Sequence, residues 1–339
     1  MRRSRSRFGL AMSLVSGATF GTSGSFASSL IKAGWSPGAA VTVRVTIAAL
    51  VLTVPAILQL RARPLTWASA RTVLLYGFMA IAVAQLCYFV AVSHLSVAVA
   101  LLIEYSGILL VIAWGWIRHS NRPRRLTAVA VLTALAGLVL VLDLTGPQKV
   151  DLVGALWALG AAVGLATYFI VTAESENETS PLVLAWGGLA VGAVVLALAG
   201  FSGALPFRAT SANVMLLGSQ VLWIVPVLGL AIVASVVAYL TGIVAVRQLG
   251  SKLASFLGLT EVLSAVLFAW LLLGQHLDAT QLVGAALVVA GIALVRLDEM
   301  ATAAPSTAQR RTNDAPSADL ALSAPNLRPD ATKGVIPQS

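Results

Sequence analysis

Two acids stand in stretches that are otherwise almost wholly apolar. Glu104 lies in SVAVALLIEYSGILLVIAWGW and Glu261 in LASFLGLTEVLSAVLFAW. Glu104 is nine residues past Leu95, so about 14 Å down a helix, near the middle of a hydrocarbon layer about 30 Å thick. Glu261 reaches a similar depth nine residues past Lys252. A charged carboxylate facing lipid there costs at least roughly 2.5–3.5 kcal/mol. Each acid must therefore face a wet cavity, meet a cation or keep its proton, and the chemistry on offer is proton exchange. The plain competing reading is a neutral structural glutamic acid bonded to a neighbouring helix.

Other polar groups sit at similar depth. Arg44, seven residues after Pro37, cannot lose its proton and needs an acid, helix carbonyls or the interface within reach. Pairing with Glu104 and snorkelling outward are both open to it. Gln85, Tyr88, Tyr105, Tyr168 and Tyr239 add polar tips, and with Glu104 and Glu261 they make seven candidates for one shared substrate cavity. His94, His119 and His276 fall at segment ends without a metal-ligand partner at short spacing. Neither a nucleophile elbow, a zinc helix nor a nucleotide loop occurs, so the sequence calls for no metal, cofactor or catalytic residue and does not read as an enzyme.

The elements that position these residues follow from composition. Of 339 residues, 58% are hydrophobic and 10% charged, where a soluble protein carries roughly a quarter charged. The net charge of +9 is spread in short runs between apolar segments rather than gathered on a face, which argues topology and not nucleic acid. Ten segments are long enough to cross a bilayer: 8–31, 37–60, 71–92, 95–117, 125–144, 151–172, 181–203, 224–247, 252–273 and 279–297. They lack the alternation of barrel strands, so the expectation is an all-α membrane protein. The single cysteine, Cys87, permits no internal disulfide. Trp35, Trp67 and Trp223 are expected as interfacial anchors.

The chain repeats itself. AVSHLSVAVALLIEYSGILLVIAWGW from Ala91 is answered by AVRQLGSKLASFLGLTEVLSAVLFAW from Ala245, an offset of 154 that also joins AGL at Ala136 to AGI at Ala290. Two five-helix units result, residues 8–144 and 151–297, preceded by a basic N-terminus 1–7 and followed by a tail, 298–339, expected to be disordered. An odd number of helices inverts the second unit, giving ten helices as two inverted five-helix repeats. With the N-terminus inside, fourteen lysines and arginines fall on the cytoplasmic side, against Lys32, Lys149 and Arg208 outside. Both termini are then cytoplasmic, in a multi-pass protein of the plasma membrane. The first segment also spaces Gly9, Ser13, Gly17, Gly21, Ser25 and Ser29 four residues apart, a strip for close helix packing or for sliding.

IEYSGILL, the basic turn RHSNRPRR after it, LTEVLSAVLFAWLLLGQ and Arg44 within VTVRVTIAAL together resemble the EamA branch of the drug/metabolite transporter superfamily over about residues 8–297. The resemblance implies a secondary carrier that moves small metabolites, amino acids or amphipathic compounds, commonly outward, with spans one, three, four, six, eight and nine around a central cavity. Two departures bear on it. Val262 stands where the family usually has a proline near Glu261, and Gly274-Gln275 where it commonly ends in Gly-Glu, which weakens any transfer of helix-breaking or outer-loop acid roles. The expected partners are the bilayer and a small-molecule substrate, with no nucleic acid and a homodimer left open. A passive facilitator and a membrane sensor without flux are the alternatives.

Overall fold

In hydrocarbon a backbone must satisfy its own hydrogen bonds, and the apolar runs accordingly fold as helices. The computed structural model describes residues 2–95, 97–120, 122–144, 151–176, 179–216, 218–273 and 278–303. Lys149, Gly274, Gln275, His276 and the tail from residue 304 lie outside the described residues. The described residues up to Glu299 form one compact unit.

The helices are α1 (Arg2–Lys32), α2 (Pro37–Ala62), α3 (Trp67–Leu75), α4 (Ala84–His94), α5 (Val97–Tyr105), α6 (Gly107–His119), α7 (Arg125–Val141), α8 (Leu152–Glu174), α9 (Pro181–Phe201), α10 (Ile224–Leu228), α11 (Ala238–Leu249), α12 (Ser251–Gly258), α13 (Thr260–Leu273) and α14 (Ala279–Ala303). π-Helical stretches, Tyr76–Val83 and Gly229–Val237, join α3 to α4 and α10 to α11. Ser36 and Ser180 cap α2 and α9 by accepting from Ala39 N and Val183 N, each just ahead of a proline whose missing N–H costs nothing at a helix start. Among the described residues, eight helical stretches are long and apolar enough to cross a membrane. The first and fifth expected segments are helical too, but α1 is rich in serine, threonine and glycine and α7 has only 17 residues.

Three features depart from the sequence reading. A short antiparallel hairpin, β1 (Val214–Leu216) with β2 (Ser219–Val221), follows α9, so the chain is not purely helical. The expected fourth and ninth spans each carry a tightened turn, at Ser106 and Leu259, where the backbone stays right-handed helical, and no proline stands near Glu261. There Ser106 and Thr260 each turn a hydroxyl onto the carbonyl three residues back, Ile103 O and Leu257 O, both at 2.6 Å. The last helix also runs on to Ala303, past the expected start of the tail at 298.

Packing links the two halves. α1 packs on α11 and α13, while α8 packs on α4, α5 and α6. A Cβ on Gly9 would meet Gln248 and Leu249, and one on Gly154 would meet His94 and Leu95, the same pair of positions 154 residues earlier. α2 and α9 run antiparallel, with Gln59 bonded to Ser180 and Thr53 to Trp186. α7 and α14 are antiparallel as well, Gly137 lying against Gly284 and Gly291 against Ala134. One end of this bundle, the Lys32 face, is tied by Ser36 and Trp35, which donate to Pro206 O (2.7 Å) and Thr210 O (2.8 Å). Trp35 is buried and packs on Trp223 with ring centroids 5.8 Å apart, so it is a core residue and not an exposed interfacial anchor. Trp67, 82% exposed, is the tryptophan of the three that faces out.

Candidate functional site

A cavity of about 680 Å³ runs along α1 between the halves. Gln85, Tyr88, Glu104, Tyr105, Tyr168, Tyr239 and Glu261 all line it, and so does Arg44. The structure thus brings every sequence-derived candidate to one place, from α2, α4, α5, α8, α11 and α13. Tyr168 and Tyr239 stack edge-on with centroids 6.2 Å apart, and Phe20 of α1 abuts Tyr239 at 4.9 Å.

Glu104 is the next-to-last residue of α5 and Glu261 the second of α13, so each lies two residues from a tightened turn, at Ser106 and Leu259. The Tyr105 hydroxyl is turned to the Glu261 carboxyl. Among the described residues no basic group lies within 4.0 Å of either carboxylate. Arg44 corrects the sequence reading in both its forms. It neither snorkels, being 7% exposed, nor pairs with Glu104; its charge bears on Glu261 and Tyr239 instead, at longer range. Its Nε is buried with no protein hydrogen-bond partner among the described residues, which leaves a donor at the cavity wall.

The resemblance implies span one at the cavity, but the sequence does not single out which of its residues line it. Ser16, Phe20, Ser23, Ala27 and Ile31 form a row beside the small-residue strip, and of that strip Ser13 and Gly17 themselves reach the cavity. The signal was present as serines flanking the strip, but serine on a helix is common for other reasons. The strip's packing role is direct: a Cβ on Gly21 would stand 2.8 Å from Ala265 N, so only glycine admits α13 there.

The two ends of the cavity differ. Its lining at the Lys32 face includes Lys32, Ile31 and Gly24, all exposed. At the other end Ser13, Val246 and Ala254 line it and are buried. The cavity is a chamber open at one face, lined by two acids, an arginine and aromatic rings, and of a size that holds a small molecule.

Two helical halves around a polar chamber buried in apolar helices define a multi-pass membrane transporter, and comparison with known proteins agrees. Residues 7–143 and 152–297 each match the EamA-like transporter family, and the chain belongs to that family. It is similar to an uncharacterized inner membrane transporter, YicL, of Salmonella typhimurium, 26% identical over 236 residues that cover 68% of this chain and 74% of that one. An uncharacterized transporter of Archaeoglobus fulgidus is 26% identical over 205 residues, covering 60% of this chain and 69% of the other. The uncharacterized transporter YwfM of Bacillus subtilis is 25% identical over 235 residues, covering 63% and 71%. A crystal structure of another protein superposes with a TM-score of 0.68 over 90% of this chain and 100% of that chain at 20% identity, which shows a shared fold.

Proposed function

We propose that this protein is a secondary carrier that exports small metabolites, amino acids or amphipathic compounds, by alternating access. The observation that carries the reading is the single chamber, built from both halves, open at the Lys32 face and closed at the other. Its two acids suit an amine or other cation, Arg44 suits an acidic group, and the aromatic rings suit an apolar body.

The proposal includes ten membrane crossings in two inverted five-helix repeats. The matching 154-residue offsets, the antiparallel pairs α2–α9 and α7–α14 and the exchanged glycine contacts support it. Two near-equivalent halves have two near-equivalent packings, and exchange between them is the physical basis of alternating access. Basic residues on the face opposite Lys32 favour cytoplasmic termini, which makes the open face the outer one. Export rests on the family resemblance.

Counterflow separates this reading from a passive facilitator. Proteoliposomes loaded with an unlabelled amino-acid mixture should transiently accumulate each labelled amino acid that is a substrate, and uptake should saturate. Flux that neither saturates nor responds to the load would leave a channel, and binding without flux a sensor.

A further inference from the structure

Beyond the chamber's closed end lies a buried column that carries polar groups through the core. Tyr168 lines the chamber on α8, and Thr172 and Ser175 continue its row one and two turns onward, about 10 Å along the axis. On α11 the same happens from Tyr239 through Ile243 to Arg247, about 12 Å. Tyr76, the first residue of the π-stretch, fills the space between these rows, its ring 5.9 Å from that of Tyr168.

Tyr76 and Thr172 are both 0% exposed, and Tyr76 lies within electrostatic range of Arg247. Tyr76 and Thr172 turn their hydroxyls toward each other and Arg247 lies at the far end, so two hydroxyls and a guanidinium stand between the chamber and the face opposite Lys32. Burying polar groups in an apolar interior is costly, and a polar file leading out of the chamber is what a passage to that face requires.

The column ends at a clasp. Arg247 donates through Nη1 to Thr179 O at 2.6 Å and through Nη2 to Thr179 Oγ1 at 3.2 Å and Ser175 Oγ at 3.3 Å. Glu176, exposed at the surface, lies within electrostatic range of the same guanidinium. α11 is thereby fastened to the turn between α8 and α9 on the face opposite Lys32.

We propose that Tyr76, Thr172 and Arg247 line the second half of the substrate passage, held shut by the Arg247 clasp, and that releasing the clasp opens the chamber to that face. The inference rests on the carrier reading and adds the position of its other gate. Repacking of the π-stretch that begins at Tyr76 is a local means of turning that ring aside, since π-turns sit within helices at functional sites.

Thiol labelling tests it. On a Cys87→Ser background, Thr172→Cys and, separately, Ser28→Cys are reconstituted and exposed to a charged, membrane-impermeant methanethiosulfonate from each face in turn. Ser28→Cys, in the open chamber, should react from the Lys32 face. Thr172→Cys should react slowly, from the Arg247 face, and adding Arg247→Gln should speed that reaction at least roughly tenfold. Should Arg247→Gln not accumulate, Ser175→Ala with Thr179→Ala removes the side-chain half of the clasp, and a smaller rise is expected. Thr172→Cys that stays inert, or reacts from the Lys32 face alone, while Ser28→Cys reacts normally, overturns this gate and leaves the carrier reading standing. Ser28→Cys inert from both faces overturns the open chamber itself, and both readings with it.

Discussion

Each half carries one acid and one glycine near its tightened turn, in opposite order. The first half reads Glu104-Tyr-Ser-Gly107 and the second Gly258-Leu-Thr-Glu261, four aligned positions at the offset of 154. The acids are therefore not equivalent by repeat, and their surroundings differ too. Glu261 has the Tyr105 hydroxyl beside it and Arg44 within electrostatic range; Glu104 has neither. Of the two, Glu104 is the acid with no cation in electrostatic range among the described residues, which makes it the better site for a proton that comes and goes. Glu104→Gln should abolish accumulation driven by a pH gradient, a loss of at least roughly tenfold, while counterflow at equal pH persists. Paired uptake assays with and without the gradient read both; normal gradient-driven accumulation by Glu104→Gln removes the proton role. That these residues share a site was legible in the sequence, because a polar group at mid-membrane is costly and rarely without purpose. Which acid Arg44 serves was not, because that depends on how α2 packs against the other half.

At the level of elements, helix positions were legible and helix interruptions were not. Apolar runs determine where a chain crosses a bilayer, but a change in the hydrogen-bond ladder leaves hydropathy untouched, so the π-stretches at 76–83 and 229–237 and the tightened turns at Ser106 and Leu259 left no trace in composition. They do obey the repeat to within one residue: 76 and 229 are 153 apart, 83 and 237 are 154 apart, and Ser106 and Leu259 are 153 apart. The glycines beside the two turns have different duties. A Cβ on Gly107 would stand 2.6 Å from the Ala162 carbonyl oxygen, a backbone atom of α8 that cannot yield without moving the helix. A Cβ on Gly258 would meet the far edge of the Phe169 ring at 3.0 Å, which can tilt away. Gly107→Ala should accordingly destabilise by roughly 1–3 kcal/mol. Gly258→Ala should be close to neutral, its crowding offset by a gain in helix propensity of up to about 1 kcal/mol. Thermal unfolding of the two purified variants in detergent ranks them, and the reverse order would contradict the α5–α6 packing on α8.

The molecule as a whole is held at the face opposite Lys32 by a residue that the sequence reading consigned to the tail. Asp298 has a side chain only 3% exposed. Its Oδ2 accepts from Lys252 Nζ at 2.8 Å and from Thr127 Oγ1 at 2.7 Å, and Arg124 Nη1 lies 3.9 Å from Oδ1. One carboxylate thus joins the end of α14 to the starts of α12 and α7, locking the last helix of the second half to the last helix of the first. The apolar pattern fades after Arg296, so composition alone draws the boundary too early; only the contacts across more than 170 positions reveal that the fold continues. Cleavage of a buried pair costs about 3–5 kcal/mol when one partner is left uncompensated, but Lys252 is 30% exposed and partly served by water, which lowers the expectation for Asp298→Asn to about 1–2 kcal/mol. Two truncations then locate the true end of the folded unit. A chain ending after Ala303 should unfold at the temperature of the full chain, whereas one ending after Leu297 should lose roughly a few degrees, about as much as Asp298→Asn. Equal stability of both truncations would mean that the carboxylate at 298 clamps nothing, and that the two last helices hold together through Gly137, Gly284 and their neighbours alone.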